Sequence, residues 1–196
     1  MRLTDDRYAG ERQQFELALR MIGHEARTRT IRACTGLSDD RIRKLYATYF
    51  RGGAGPRVRR RRGKSPQQVA RFVKNPLYQL EATTLVALYA ANLLLRIDRD
   101  LNVHPCWPRP DVEYGHRLCR AFETYRLLHR QPRLSFEWAW NLLQNISQND
   151  ELRLSRCAGC RSRFVRDSYA LDSGHCPGCA LNAGRTNAAG TATLLR

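Results

Sequence analysis

Apolar positions recur at helical spacing in several separate stretches of the chain. From Glu11 to Ile22, the residues Phe15, Ala18, Leu19 and Ile22 fall on one face, and Gly23 is placed to end that helix. Glu25 to Cys34 reads as a second, short and basic helix. A third runs from Ser38 to about Tyr49, with Ile42, Leu45 and Tyr49 on one side. Ser65-Pro66-Gln67-Gln68 has the form of a capping box with proline at the first helical position, and predicts a helix that closes at Pro76. Leu77 to about Arg99 is apolar around most of its circumference and predicts a long buried helix. Only fourteen residues between Glu81 and Arg96 are uncharged, too few to span a bilayer. His104 to Pro110 reads as a Pro-rich connection, Asp111 to Arg130 and Ser135 to Asn149 as two further helices, and Glu151–Arg156 with Arg163–Arg166 as short strands. The expected fold is mainly α: a helical body over 1–150, a small C-terminal zinc-ribbon-like module over 151–180, and a disordered tail over 181–196.

Between the second and third predicted helices lies Thr35-Gly36-Leu37-Ser38. Gly36 tolerates positive φ in a tight turn. Ser38 is a good N-cap, and Asp39 and Asp40 suit the positive end of the helix dipole. Ile31, Leu37, Ile42 and Leu45 stand where a helix-turn-helix over about 25–49 needs apolar residues to pin one helix on the other. Arg32 stands four residues before the glycine, where a small residue is usual. An ordinary helical hairpin gives the same pattern and is the alternative.

Charge changes the picture. The chain carries a net charge of +16, which points to a polyanionic partner, most simply nucleic acid. The excess is local: no acidic residue occurs between Asp40 and Glu81, while that stretch holds twelve Lys and Arg residues. Residues 51–64 combine Gly52, Gly53, Gly55 and Pro56 with an arginine run, and read as a flexible basic arm. The DNA-contact candidates are therefore Ser38, Arg41, Arg43 and Lys44 at the third helix, and Arg57, Arg59, Arg60, Arg61, Arg62 and Lys64 on the arm. The helix would enter the major groove and the arm would follow phosphates.

Four of the seven cysteines form the pattern C-x2-C-x15-C-x2-C, as Cys157, Cys160, Cys176 and Cys179. That spacing suits one structural Zn²⁺ per chain, with a closed thiolate shell that leaves no position for a reacting water. Two disulfides or redox-active C-x-x-C pairs are the alternatives. Met1 to Gly10 carries Arg2, Asp5, Asp6 and Arg7 with no apolar run behind it, so a cytoplasmic, reducing location without membrane association is expected. Cys34, Cys106 and Cys119 read as core or surface thiols. The five histidines form no metal or triad spacing.

No catalytic residue is expected. The sequence offers no paired carboxylates at a plausible site and no Gly-rich phosphate loop, and it lacks the H-x-E that zinc deaminases pair with P-C-x-x-C. A zinc-ribbon subunit of a nucleic-acid-processing enzyme is the alternative class. An RNA-binding module is weaker, since no aromatic stacking motif occurs.

The chain resembles the FlhC family of bacterial flagellar transcriptional activators. The matching residues are Thr35-Gly36-Leu37-Ser38 with Arg41, Lys44, Leu45 and Tyr46, then Ala139-Trp140, Leu154, Cys157, Cys160, Phe164, Cys176 and Cys179. The resemblance implies a DNA-binding activator that contains zinc on those four cysteines. It also implies action at promoter DNA, with RNA polymerase, as a hetero-oligomer with an FlhD-like partner. The arginine run at Arg57–Lys64 stands where family members carry a Pro- and Gly-containing segment before a Trp-Phe pair. Relatives of the family also regulate conjugative elements, so a regulator of a mobile element is the alternative.

Overall fold

The computed structural model describes residues 2–51, 58–61, 68–148, 150–171 and 174–183. It is mainly helical. The elements are α1 (Arg2–Gly23), α2 (Thr28–Thr35), α3 (Asp39–Phe50), a 3-10 turn (Val69–Val73), α4 (Pro76–Ala91), β1 (Leu95–Ile97), β2 (Val103–Pro105), α5 (Val112–Leu128), α6 (Phe136–Gln148), β3 (Leu152–Arg156) and β4 (Arg163–Asp167). The strands form two separate antiparallel hairpins, β1-β2 and β3-β4.

α5 lies at the centre of the packing, against α1, α2, α4 and α6. Gly115 permits its closest approach: a Cβ there would sit 2.5 Å from Leu17 Cδ2 and 3.0 Å from Cys34 Cβ. Two buried carboxylates tie the helices together. Glu81 of α4 accepts from the Tyr125 hydroxyl (2.5 Å) and from the backbone N–H and guanidinium of Arg133 (both 2.8 Å). Glu137 of α6 accepts from the backbone N–H of Arg27, 2.7 Å away, at the entrance to α2. A buried carboxylate without such donors would cost several kcal/mol.

The long apolar helix expected over Leu77–Arg99 is shorter. α4 ends at Ala91, and the chain returns as the β1-β2 hairpin. Leu93 adopts φ 56, with Leu93 N–H donating to Ala90 O and Leu94 N–H to Tyr89 O. This is a Schellman cap with leucine where glycine is usual, so the sequence carries no ordinary stop signal. Asp98 then closes the hairpin turn by accepting from the Asn102 N–H at 2.8 Å. α1 ends in the same way, with Glu25 rather than Gly23 in the left-handed region at φ 60.

The helix expected to open on Ser65 and Pro66 is also different. Those two residues lie outside the described residues, and the following segment is only the 3-10 turn. Pro76 stands in the first turn of α4, whose cap is Asn75, accepting from Leu77 and Tyr78 N–H at 3.1 Å each. Residues 177–183 are helical, so the expected tail is ordered at its start; residues 184–196 lie outside the described residues.

The C-terminal hairpin is docked on the body. Leu152, Leu154 and Val165 belong to the main core, while Phe164, Cys157 and Cys176 form a second small cluster. Val165 donates its N–H to Thr83 and accepts from the Gln79 amide, both on α4. No described helix is long and apolar enough to cross a membrane.

Candidate metal centre and basic surface

The two knuckles predicted from spacing converge. The Sγ atoms of Cys157, Cys160, Cys176 and Cys179 all lie within 4.8 Å of one another. Cys157 and Cys179 are 3.8 Å apart, and Cys160 and Cys176 are 3.5 Å apart. Four thiolates at about 2.3 Å from a tetrahedral Zn²⁺ lie about 3.8 Å from each other, so the shell has the size of a metal site. All seven cysteines are free thiols, which removes the disulfide alternative for this structure.

Backbone geometry prepares the sulfurs for a cation. Cys157 Sγ accepts from the N–H of Cys176 (3.2 Å) and of Cys160 (3.5 Å), and Cys176 Sγ accepts from the N–H of Cys179 (3.4 Å). The Cys160 and Cys176 N–H groups hold the Cys157 thiol down at about 5. The Ser162 hydroxyl, 3.0 Å from Cys160 Sγ, lowers that thiol too. Cys179 is pushed up, to about 12, first by its contact with Cys160 and then by Cys176 and Cys157. Adjacent thiolates repel, and a bound cation removes that penalty by displacing the protons. The turn after Cys160 is sharp enough that Arg161 takes φ 64.

The second assembly is built on α2 and α3. Gly36, at φ 70, ends α2 and donates its N–H to Arg32 O. Ser38 caps α3 by accepting from Arg41 N–H at 3.3 Å. Ile31, Leu37 and Ile42 are buried between the helices. Arg32 is exposed and paired with Asp39 at 3.3 Å, so its bulk never enters the crossing. The outward face of α3 carries Asp40, Arg43, Lys44, Ala47 and Thr48.

The candidate residues are placed differently from one another. Arg41 lies back over the Phe15 ring of α1, 5.2 Å from its centroid. Arg43 pairs with Asp40 at 2.7 Å. Lys44 and Arg43, with Tyr46, Ala47, Arg51 and Arg60, line a concavity of about 560 Å³. Arg57, Arg62 and Lys64 lie outside the described residues.

The described part of the arm, 58–61, is held against the body. Val58, the one apolar residue within the run Arg57–Arg62, packs on the core, and its carbonyl accepts from the Tyr46 hydroxyl at 2.6 Å. Arg60 lies over the Tyr46 ring at 5.9 Å, and Arg61 pairs with Glu25 at 2.7 Å. Arg59 and Arg60 are thus brought beside α3 as exposed cations. Sequence reasoning placed Arg51 on the arm but missed Tyr46 and Glu25 as the groups that hold the arm; Val58 was the available signal. Arg71, within the acid-free stretch, is sandwiched on Trp138 and Tyr78, with centroid distances of 4.8 and 5.2 Å, and belongs to the packing instead.

No protein-family model and no curated protein matches the chain.

Proposed function

We propose that the chain is a DNA-binding transcriptional activator, with α2 and α3 as a helix-turn-helix and the Cys157, Cys160, Cys176 and Cys179 thiolates holding one structural Zn²⁺. The observation that carries the reading is the concavity beside α3. Arg43, Lys44, Arg51 and Arg60 surround it, and the small side chain of Ala47 leaves room for a close approach. In this reading α3 enters the major groove and presents Lys44 to the bases. Arg51, Arg59 and Arg60 neutralise flanking phosphates. Arg41 packs on Phe15 and sets the angle of α3 instead of reading bases. Asp39 and Asp40 lie in the first turn of α3 and hold Arg32 and Arg43.

The operons follow from the FlhC resemblance alone: flagellar genes, with a mobile element as the alternative. The same resemblance names an FlhD-like partner and RNA polymerase. A largely apolar stripe supports a partner: Leu77, Ala87 and Ala91 of α4 are exposed, and Leu80, Thr84 and Leu88 on the same helix are half-buried. The test is fluorescence anisotropy of the purified chain, alone and co-expressed with an FlhD-like protein, on duplex DNA and on RNA of the same sequence. Preference for duplex DNA is expected, strengthened by the partner. Equal or tighter binding to RNA would overturn the reading.

A further inference from the structure

The C-terminal hairpin carries a charge arrangement that stability does not explain. In the β3-β4 register, Arg156 stands directly opposite Arg163. Like charges at directly opposed positions destabilise an antiparallel pair. Both side chains are exposed, and Arg161, also exposed, lies in the turn that joins the strands. Among the described residues none of these three arginines has an ion pair; Asp167 lies at the other end of the sheet, opposite Leu152, and accepts from the Tyr169 N–H at 2.8 Å. A single glutamate at either strand position would have relieved the repulsion.

We propose that Arg156, Arg161 and Arg163 form a second contact surface for DNA backbone phosphates, placed on the zinc-bearing hairpin and distinct from the α3 concavity. The inference rests on the reading of the chain as a DNA-binding protein. Alternation along the strands puts Arg156 and Arg163 on the same side as Leu154 and Val165, which are buried in the main core. The arginines therefore project where the hairpin leaves the body, held by a rigid sheet and by the Cys157 and Cys160 knuckle between them. β4 also packs against the 3-10 turn at Val69–Val73. That turn begins within a few residues of Gln68, which is seven residues from Arg61 in sequence and so no more than about 25 Å from it. Arg61 and the start of that turn therefore lie within about one helical turn of DNA of each other. The fold couples metal to DNA: the knuckle that positions Arg156 and Arg161 is the one whose sulfurs take the cation.

The experiment uses the full chain with bound zinc and compares wild type, R156Q/R163Q and R156K/R163K on a 30-base-pair duplex across a salt series. R156Q/R163Q is expected to weaken binding to all sequences alike and to reduce the slope of log K against log salt by about 0.9 for each phosphate left without its arginine. R156K/R163K is expected to keep the wild-type slope. The melting temperature of R156Q/R163Q at low salt is expected to equal or exceed that of wild type, since a repulsion is removed. A wild-type slope in R156Q/R163Q, with zinc content intact, overturns the proposal while leaving the DNA reading standing. The same slope with abolished transcription activation would assign the arginines to a protein partner and overturns it equally. Absence of DNA binding by wild type would remove the parent reading.

Discussion

Leu93 and Glu25 hold left-handed backbone without being glycine, and the two positions show what a sequence hides at the scale of a residue. Neither side chain announces a helix end; the stop comes from the following hydrogen bonds and from the tertiary path of the chain. An L-residue in the left-handed region costs roughly 1–2 kcal/mol, and glycine recovers that less its own loss of entropy on folding. Leu93 is 59% exposed, so its side chain contributes little packing. Leu93→Gly is therefore expected to be neutral or to stabilise by up to about 1 kcal/mol in urea unfolding; a loss above that would mean that Leu93 contributes packing the exposed surface does not suggest. His24 also had no role in the sequence reading. It stacks on Phe136 with ring centroids 5.6 Å apart and donates its Nε2–H to the ionised Glu123 carboxylate, 2.8 Å away, where Arg20 also binds. Burial lowers the His24 pKa from its ordinary 6.5, and the Arg20 hydrogen bond lowers Glu123. Both folded-state values lie below the unfolded ones, so both contributions are present at neutral pH and are lost as pH falls. Stability is expected to decline below about pH 6.5, first through His24 and then, in the carboxylate range, through Glu123. His24→Gln should flatten the first part of that decline in thermal melts at pH 7.5 to 5, and an unflattened curve would assign it to other groups.

At the scale of elements, α3 and α5 were legible because periodicity, an N-cap and a burial stripe agree there, and α6 because periodicity and a burial stripe agree. Ser38 caps where expected, and Ile42 and Leu45 are buried. The β1-β2 hairpin was not legible. Leu94, Leu95 and Ile97 continue the apolar run of α4, and three-residue strands are too short to display alternation. The arm shows the converse failure. Its glycines and arginines suggest a free segment, yet one valine in the run is enough to fasten 58–61 to the body. Tyr46→Phe removes the hydrogen bond to Val58 O and leaves the ring under Arg60. A net hydrogen bond is worth about 0.5–1.5 kcal/mol, so this variant is expected to bind DNA about two- to ten-fold more weakly with unchanged helical content. Wild-type affinity would show that the position of the arm does not matter to binding.

For the whole molecule, the four cysteines were the most legible feature, because C-x2-C spacing constrains geometry within a few residues. What spacing could not give was the docking of the hairpin on α4 through Thr83 and Gln79, which comes from side chains 82 and 86 residues away in sequence. Through that docking, a metal bound by the four cysteines would matter beyond its own loop. Cys157→Ser is expected to abolish stoichiometric zinc and to loosen the Leu152, Leu154 and Val165 packing, read as faster amide exchange in α4 near Thr83. Full zinc content in the variant would contradict the assignment. The basic surface is assembled from the outward face of α3, Arg51 at its C-terminal end, and the arm segment held by Tyr46 and Glu25. The most direct test of the central claim is the salt dependence of duplex DNA binding for wild type against a variant with Arg51, Arg59 and Arg60 changed to Gln. A slope smaller by up to about 2.7 is predicted, with about 0.9 from each phosphate that no longer meets a cation. An identical slope, with fold and zinc intact, would contradict it.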